Sequence, residues 1–223
     1  MGKHFSPRIV TEGMVLCLDA GNRESYPGSG ASWTDLSGNG NSATLNNSPS
    51  YSSNNLGYLT FNGSTQYTAG TTTSASSWSI SIWYNASNIS SQLAYYPFGV
   101  GGAAGLGFGG TNDANSNGRW YFFDGTNAAT VANGLSVAPV VINTWYHLTV
   151  TKTGTTYNTY TNGSFSTTAS AANLSISSYN IGRRVDGFWY VEGSVGGASI
   201  YNRVLTAAEV SQNFNATRGR YGV

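Results

Sequence analysis

The sequence predicts an all-β fold: two packed antiparallel sheets followed by one short C-terminal helix. Three observations predict it. The first is strict alternation, clearest in Trp78-Ser79-Ile80-Ser81-Ile82-Trp83-Tyr84, where Trp78, Ile80, Ile82 and Tyr84 share one face and Ser79 and Ser81 the other. The second is composition. Charged residues are only 9%, aromatics 13%, and 29 of the 223 residues are Gly, a mixture that suits short strands joined by polar turns and suits helices poorly. The third is the stretch 196–210. There Ala198 and Ile200 alternate with Ser199 and Tyr201, and the strand then meets a capping box of Thr206 and Glu209. Val210 and Phe214 follow four apart, giving the helix one apolar stripe to lay on a sheet.

The elements follow in order. Residues 14–19 read as a strand with Met14, Leu16 and Leu18 on one side. Residues 25–30 are a loop, and 33–41 are turn-forming throughout, with Asp35 and Asn39 placed to bond nearby backbone. Residues 59–63 form a strand ending in a turn, and 119–123 a further strand. In residues 145–152, Tyr146, Leu148 and Val150 point inward against His147 and Thr149, which leaves His147 as a partly exposed sheet residue. Residues 157–161 and Phe165 flank Asn162-Gly163, a strong hairpin signal. Residues 179–181 and 190–201 complete the set. With no composition break and no internal repeat, one domain is expected over 14–215. An arm, 1–13, and a tail, 216–223, flank it, and deletion of residues 1–10 or 216–223 is expected to leave the domain folded. A chain of this length buries about 70% of its extended surface and needs no staples.

Charge and cysteine usage exclude several classes. The formal net charge of +1 argues against a nucleic-acid surface. Lys3, Arg8, Arg218 and Arg220 lie near the two ends and form a candidate docking patch. Cys17 is the only cysteine, so no internal disulfide forms, and its expected role is a small buried apolar group. That usage fits assembly in a reducing compartment, and bacterial secreted proteins share it. The apolar run 14–18 follows Glu12 and is too short for a signal peptide or a membrane span. Residues 1–6 match the loose myristoylation pattern, a cheap match in a Ser-rich chain.

Taken together, several pieces resemble the concanavalin A-like lectin/glucanase superfamily and its laminin-G-like jelly rolls. They are Leu16-Cys17-Leu18-Asp19-Ala20, the turn from Trp33 through Asp35 to Asn41, Phe61-Asn62-Gly63 with Tyr67, and Ser79-Ile80-Ser81-Ile82-Trp83. The series continues through Trp145-Tyr146-His147-Leu148, Tyr160-Thr161-Asn162-Gly163, Ile181-Gly182-Arg183 and Ile200-Tyr201-Asn202-Arg203-Val204-Leu205. The resemblance implies a two-sheet jelly-roll sandwich, a carbohydrate ligand and, in some relatives, calcium. Where those relatives carry an acidic residue in the Phe-Asx-Gly-x-x-x-Tyr segment, this chain has Gln66, a departure from their calcium site. Asn213-Phe214-Asn215-Ala216 and Arg218-Gly219-Arg220-Tyr221 resemble the ends of tailed-phage structural proteins.

Catalytic chemistry finds little support. Glucanases on this fold are similar in a Glu-x-Asp-x-x-Glu strand, whose retaining carboxylates stand about 5 Å apart. The four glutamates here, Glu12, Glu24, Glu192 and Glu209, are not spaced that way, and Glu209 is used in capping. Asp19 and Glu24 remain the carboxylates to test for hydrolysis. No Gly-x-Ser-x-Gly elbow is present, and Cys17 has no partner motif. Asp113, Asn115 and Asn117, with Gly118 and then Asp124, have the spacing of a calcium loop but only two carboxylates. No other cofactor is expected.

For carbohydrate, an aromatic face flanked by polar partners is needed. Tyr95 and Tyr96, before Pro97, are one candidate. The run 183–190 is the better one: Arg183, Asp186 and Trp189 surround a turn opened by Gly187. The expected function is therefore a non-catalytic, lectin-like structural component of a bacteriophage virion, as capsid decoration or tail-associated protein. Deletion of residues 1–10 or 216–223 is then expected to abolish incorporation into particles. Its expected partners are other virion proteins, host-surface glycans and further copies of itself, with no nucleic acid and no membrane insertion. The alternative is a secreted or cell-surface carbohydrate-binding module, extracellular in location. A glycan hydrolase is a third reading, on fold analogy alone.

Overall fold

A computed structural model describes residues 8–89, 94–110, 118–125 and 139–223. Two antiparallel sheets face each other. Across the first run β13 (Ser164–Ser170), β12 (Thr156–Thr161), β11 (Trp145–Thr153), β7 (Trp78–Ala86), β15 (Glu192–Tyr201), β5 (Tyr58–Asn62) and β4 (Ser50–Ser52), numbered in chain order, with β1 (Met14–Asp19) also paired to β15. Across the second run β10 (Trp120–Phe123), β9 (Ala104–Gly109), β8 (Ala94–Val100), β14 (Ile176–Ile181), β6 (Tyr67–Ala75), β3 (Ala43–Asn46) and β2 (Ser32–Trp33). The α-helix α1 (Ala207–Thr217) follows β15. The expected sandwich with one C-terminal helix is what the chain forms.

Alternation builds the core between the sheets. Trp78, Ile80, Ile82 and Tyr84 of β7 and Tyr146, Leu148 and Val150 of β11 face Phe98, Leu106, Phe108, Trp120, Phe122, Tyr179 and Ile181 of the second sheet. Burying each such side chain contributes roughly 1.5–3 kcal/mol. Aromatic pairs cross the gap: Trp78 meets Phe122 at 5.7 Å, and Tyr84 meets Trp120 edge-on at 5.8 Å. The turn 33–41 is tied to β1 through the buried Asp35, whose carboxylate accepts from the amides of Cys17, Ser37 and Asn41 at 2.9–3.0 Å. The Asn162-Gly163 turn joins β12 to β13, with φ of +49° and +77° at its two residues.

The outer face of the first sheet departs from the expected pattern, because α1 lies on it. His147 is buried there, only 4% exposed, rather than partly open to solvent. Its ring lies 5.0 Å from that of Trp83 and 6.1 Å from that of Phe214. Ser79 is buried too, and its hydroxyl donates to the carbonyl of Arg203 and accepts from the amide of Leu205, both at 2.8 Å. Met14 is also displaced from its expected side. A register shift between Met14 and Leu16 turns it onto the outer face with Tyr160, Tyr201, Leu205 and Val210, while Leu16 and Leu18 stay in the core.

The capping box forms as expected, with the Thr206 hydroxyl accepting from the Glu209 amide and the Glu209 carboxylate accepting from the Thr206 amide. Arg203 adds a two-pronged ion pair to Glu209, at 2.6 and 3.0 Å. That pair and the Thr206 bonds hold the Glu209 carboxyl down at about 2.

The described parts of both ends pack onto the domain. Within the expected arm, Val10 donates its amide to Asn213 Oδ1 at 2.7 Å and accepts from Tyr201 Oη at 2.9 Å. Within the expected tail, Arg220 pairs with Asp19 at 2.9 Å, and Tyr221 stacks on Trp83 with ring centroids 4.2 Å apart. Residues 8–13 and 216–223 are thus built onto the domain. Removing these segments would strip cover from Trp83 and Tyr201.

Candidate functional site

The chain crosses between the sheets through residues 182–191, which link β14 to β15. The base of this loop is closed by the Val191 amide donating to the Gly182 carbonyl at 2.9 Å. Its tip is a tight turn, with the Gly187 amide donating to Arg184 O at 3.2 Å and the Arg184 amide to Phe188 O at 3.0 Å. Asp186 stabilises the turn by accepting from Arg184 Nε at 3.0 Å and forming an ion pair with the same guanidinium. The short polar side chain is suited to such local bonding, and Gly187 takes the φ of +93° that the turn requires.

The loop folds over the outer face of the second sheet. A Cβ on Gly99 would meet loop backbone at 2.6–2.9 Å, so only glycine admits the loop there. Gly105 and Gly107 likewise leave room for the ring of Tyr96, which a Cβ would meet at 2.9 and 3.2 Å. Tyr96 is consequently buried at 3% exposure, and burial pushes its phenol up. Tyr121 lies edge-on to it at 5.9 Å and donates to its hydroxyl at 3.3 Å. Arg184 closes over this group, its guanidinium 5.4 Å from the Tyr96 ring and 5.8 Å from that of Phe123.

Trp189 packs against the same aromatic group, and its carbonyl accepts from the Tyr96 amide at 3.3 Å. Its φ is +61°, a left-handed conformation that costs a bulky residue roughly 1–3 kcal/mol. Phe188 beside it is 62% exposed. The site thus presents an exposed phenyl ring, a half-buried indole and a fixed Arg184–Asp186 pair on one turn.

The expected residues separate into three groups. Tyr96, Asp186 and Trp189 come together. Arg183 sits alongside, turned onto the ring of Tyr67 at 3.4 Å. Tyr95 is corrected as a ligand contact: it is 1% exposed in the core, stacked on Phe108 at 4.7 Å. The irregularity between Tyr95 and Phe98 hides this parity in the sequence. Tyr121 and Phe123 were not singled out by sequence, although their outward parity within Trp120-Tyr121-Phe122-Phe123 was the available signal.

The metal and nucleophile candidates resolve differently. Asp113, Asn115 and Asn117 lie outside the described residues, as do Lys3 and the myristoylation match. Asp124 is buried, and its carboxylate accepts from the Ala172 amide at 2.8 Å. At Gln66, the side-chain nitrogen donates to the carbonyls of Asn47 and Ser48 at 3.1 and 2.8 Å. A donor aimed at those carbonyls, with no carboxylate in the group, does not fit calcium. Among the described residues no cluster of three His, Cys, Asp or Glu could hold a metal.

A cavity of about 70 Å³ between the first sheet and α1 is lined by Cys17, His147, Tyr201 and Tyr221. That is well below the roughly 300 Å³ at which ligand pockets begin. Burial, then Asp19 and Asp35, pushes the Cys17 thiol up to about 12, far from a reactive thiolate. Among the described residues no helix is long and apolar enough to cross a membrane.

Residues 53–211 match the family model Laminin_G_3, described as Concanavalin A-like lectin/glucanases superfamily. A search of curated protein sequences finds no match. Among solved structures, the chain is similar to Trypanosoma rangeli sialidase in complex with sialic acid, with a TM-score of 0.70 and 16% identity over 95% of this chain and 34% of that one. It is also similar to the receptor-binding domain of botulinum neurotoxin type G, at 0.64 and 16% over 91% and 51% of the two chains. A third similar structure is domain 4 of AbnA, a GH43 extracellular arabinanase from Geobacillus stearothermophilus, in complex with arabinotriose. It gives 0.63 and 13% over 90% of this chain and 97% of that one. The chain spans about a third of the sialidase's length, and likenesses at these identities are of fold.

Proposed function

The chain belongs to the concanavalin A-like lectin/glucanases superfamily, and from that premise we propose that it is a non-catalytic, lectin-like domain that binds glycans through the 183–190 turn. The observation that carries this reading is the exposed Phe188 beside Trp189 on strained backbone, with the Arg184–Asp186 pair fixed at their side. Sugar C–H faces stack on exposed aromatic rings, and a small number of oriented polar groups select among hydroxyls. Strain held in a bulky residue at a surface turn is a feature that clusters at ligand sites. The match to nearly the whole of an arabinanase domain seen with arabinotriose supports the same reading.

The non-catalytic part rests on how the carboxylates are used. Asp19 is paired with Arg220, Asp186 with Arg184 and Glu209 with Arg203, while Glu192 accepts from Asn88 at 3.0 Å. None of these pairings resembles two carboxylates facing across a cleft. A glycan array tests the binding reading. The wild type is expected to give a defined set of hits, and Phe188→Ala to weaken them about tenfold with an unchanged melting temperature. Silence across the array, or hits indifferent to Phe188, would contradict it.

A finer reading places the domain in a phage virion. It is favoured by the resemblance of residues 213–221 to phage protein ends and by the convergence of Arg8 and α1, where Gln212 donates to the Arg8 carbonyl at 2.7 Å. Mass spectrometry of purified particles tests it: the chain is expected at stoichiometric abundance, and its absence would remove the virion reading.

A further inference from the structure

Arg183 differs from the other half-buried arginines. Arg184, Arg203 and Arg220 each pair with a carboxylate: Asp186, Glu209 and Asp19. Arg183 has no carboxylate within ion-pair distance among the described residues. Its guanidinium carbon lies over the Tyr67 ring, 3.4 Å from the centroid, and 5.5 Å from that of Tyr190, and Nη1 donates to Tyr190 Oη at 2.8 Å. Its Nε is buried and has no hydrogen-bond partner. The two tyrosine rings stand edge-to-face at 6.3 Å and hold the fork in one orientation. A cation so placed has lost part of its hydration without gaining an anion, which leaves it poised to accept one.

The fork lies beneath the turn that carries Phe188. A Cβ on Gly187 would come within 3.5 Å of Arg183 Nη1, so the guanidinium and the exposed phenyl ring belong to neighbouring positions on one loop. A planar guanidinium matches a carboxylate or sulfate in two-pronged geometry, and such charge-assisted bonds are roughly twice as strong as neutral ones. We propose that the glycan recognised at the 183–190 turn carries an anionic group, held by Arg183 while a neighbouring ring stacks on Phe188. This rests on the glycan-binding reading and names the class of sugar.

The test is binding of the full chain to matched pairs of immobilised glycans: sialylated and asialo oligosaccharides, polygalacturonate and its methyl ester, and dextran sulfate and dextran. The first two pairs report carboxylate and the third sulfate. The expected result is at least tenfold tighter binding to the anionic member of one pair, a preference that fades between 50 and 500 mM salt. Arg183→Gln is expected to abolish the preference, bringing the anionic member's binding to the level of the neutral one. Arg183→Lys, which keeps the charge and guards against a folding defect in the Gln variant, is expected to retain part of it. Binding without an anionic preference, or a preference that survives Arg183→Gln, would overturn this inference and leave the glycan reading standing. No binding to either member of any pair would overturn both.

Discussion

Trp83→Ala is expected to lower the melting temperature by about 10 °C. Trp83 stands on the outer face of the first sheet, where Tyr221 stacks on it at 4.2 Å, Phe214 at 5.8 Å and His147 at 5.0 Å. Its indole also donates to Thr217 Oγ1 at 2.9 Å. One side chain therefore anchors both α1 and the C-terminal turn. Truncating a buried Trp to Ala costs about 3–5 kcal/mol. For a domain of this size, each kcal/mol moves the midpoint by about 2–4 °C. Calorimetry measures it, and a shift below about 3 °C would show that the helix is held mainly by other contacts.

Acid is expected to destabilise the domain through His147. Its ring is buried between Trp83 and Phe214, and burial pushes its pKa down to about 3 from an ordinary value near 6.5. Between those values the unfolded chain binds a proton at this position that the folded chain refuses. Stability is thus fully present above pH 6.5 and falls as pH drops toward 3, by about 1.4 kcal/mol per pH unit, or about 2 kcal/mol at pH 5. Urea unfolding at pH 7 and pH 5 reads the difference. His147→Phe, which fills the same space without titrating, is expected to flatten most of it. Glu209 contributes little between pH 7 and pH 5, because its stabilising pair is lost only as pH falls below its ordinary value near 4.5. An equal slope in the variant would assign the acid sensitivity elsewhere.

Legibility in the sequence tracked how far each residue's environment was local. Strands β7 and β11 were readable because apolar and polar residues alternate along them, and α1 because Thr206 and Glu209 mark its start. The capping box is local, but Arg203, which strengthens it, is tied to the same carboxylate from the preceding strand connection and carried no pattern of its own. Strands β8 and β9 were not readable. Their outward positions are Gly99, Gly105 and Gly107, present so that the Tyr96 ring and the 182–191 loop can lie over them, and glycines give no alternation. His147 was misplaced for a related reason: its strand marks it as outward, and nothing nearby in sequence says that Phe214 and Tyr221 cover that face.

The candidate site was partly legible in the same sense. The 183–190 run announces itself by arginines and aromatics around Gly187. Which tyrosine of Tyr95-Tyr96 faces it depends on the irregularity at Pro97, and the contributions of Tyr121 and Phe123 depend on pairing between β9 and β10. The contrast between Arg183 and Arg184 is tertiary altogether. Adjacent in sequence and alike in type, one is neutralised by Asp186 and the other rests on Tyr67.

The tryptophans allow one direct test of where a glycan binds. Five of the six, Trp33, Trp78, Trp83, Trp120 and Trp145, are buried, and Trp189 alone is partly open. Each indole N–H gives a separate signal in a nitrogen–proton correlation spectrum. During titration with the strongest array hit, the Trp189 signal is expected to move progressively with ligand while the other five hold their positions. Movement confined to any of those five, with Trp189 stationary at saturation, would contradict binding at the 183–190 turn.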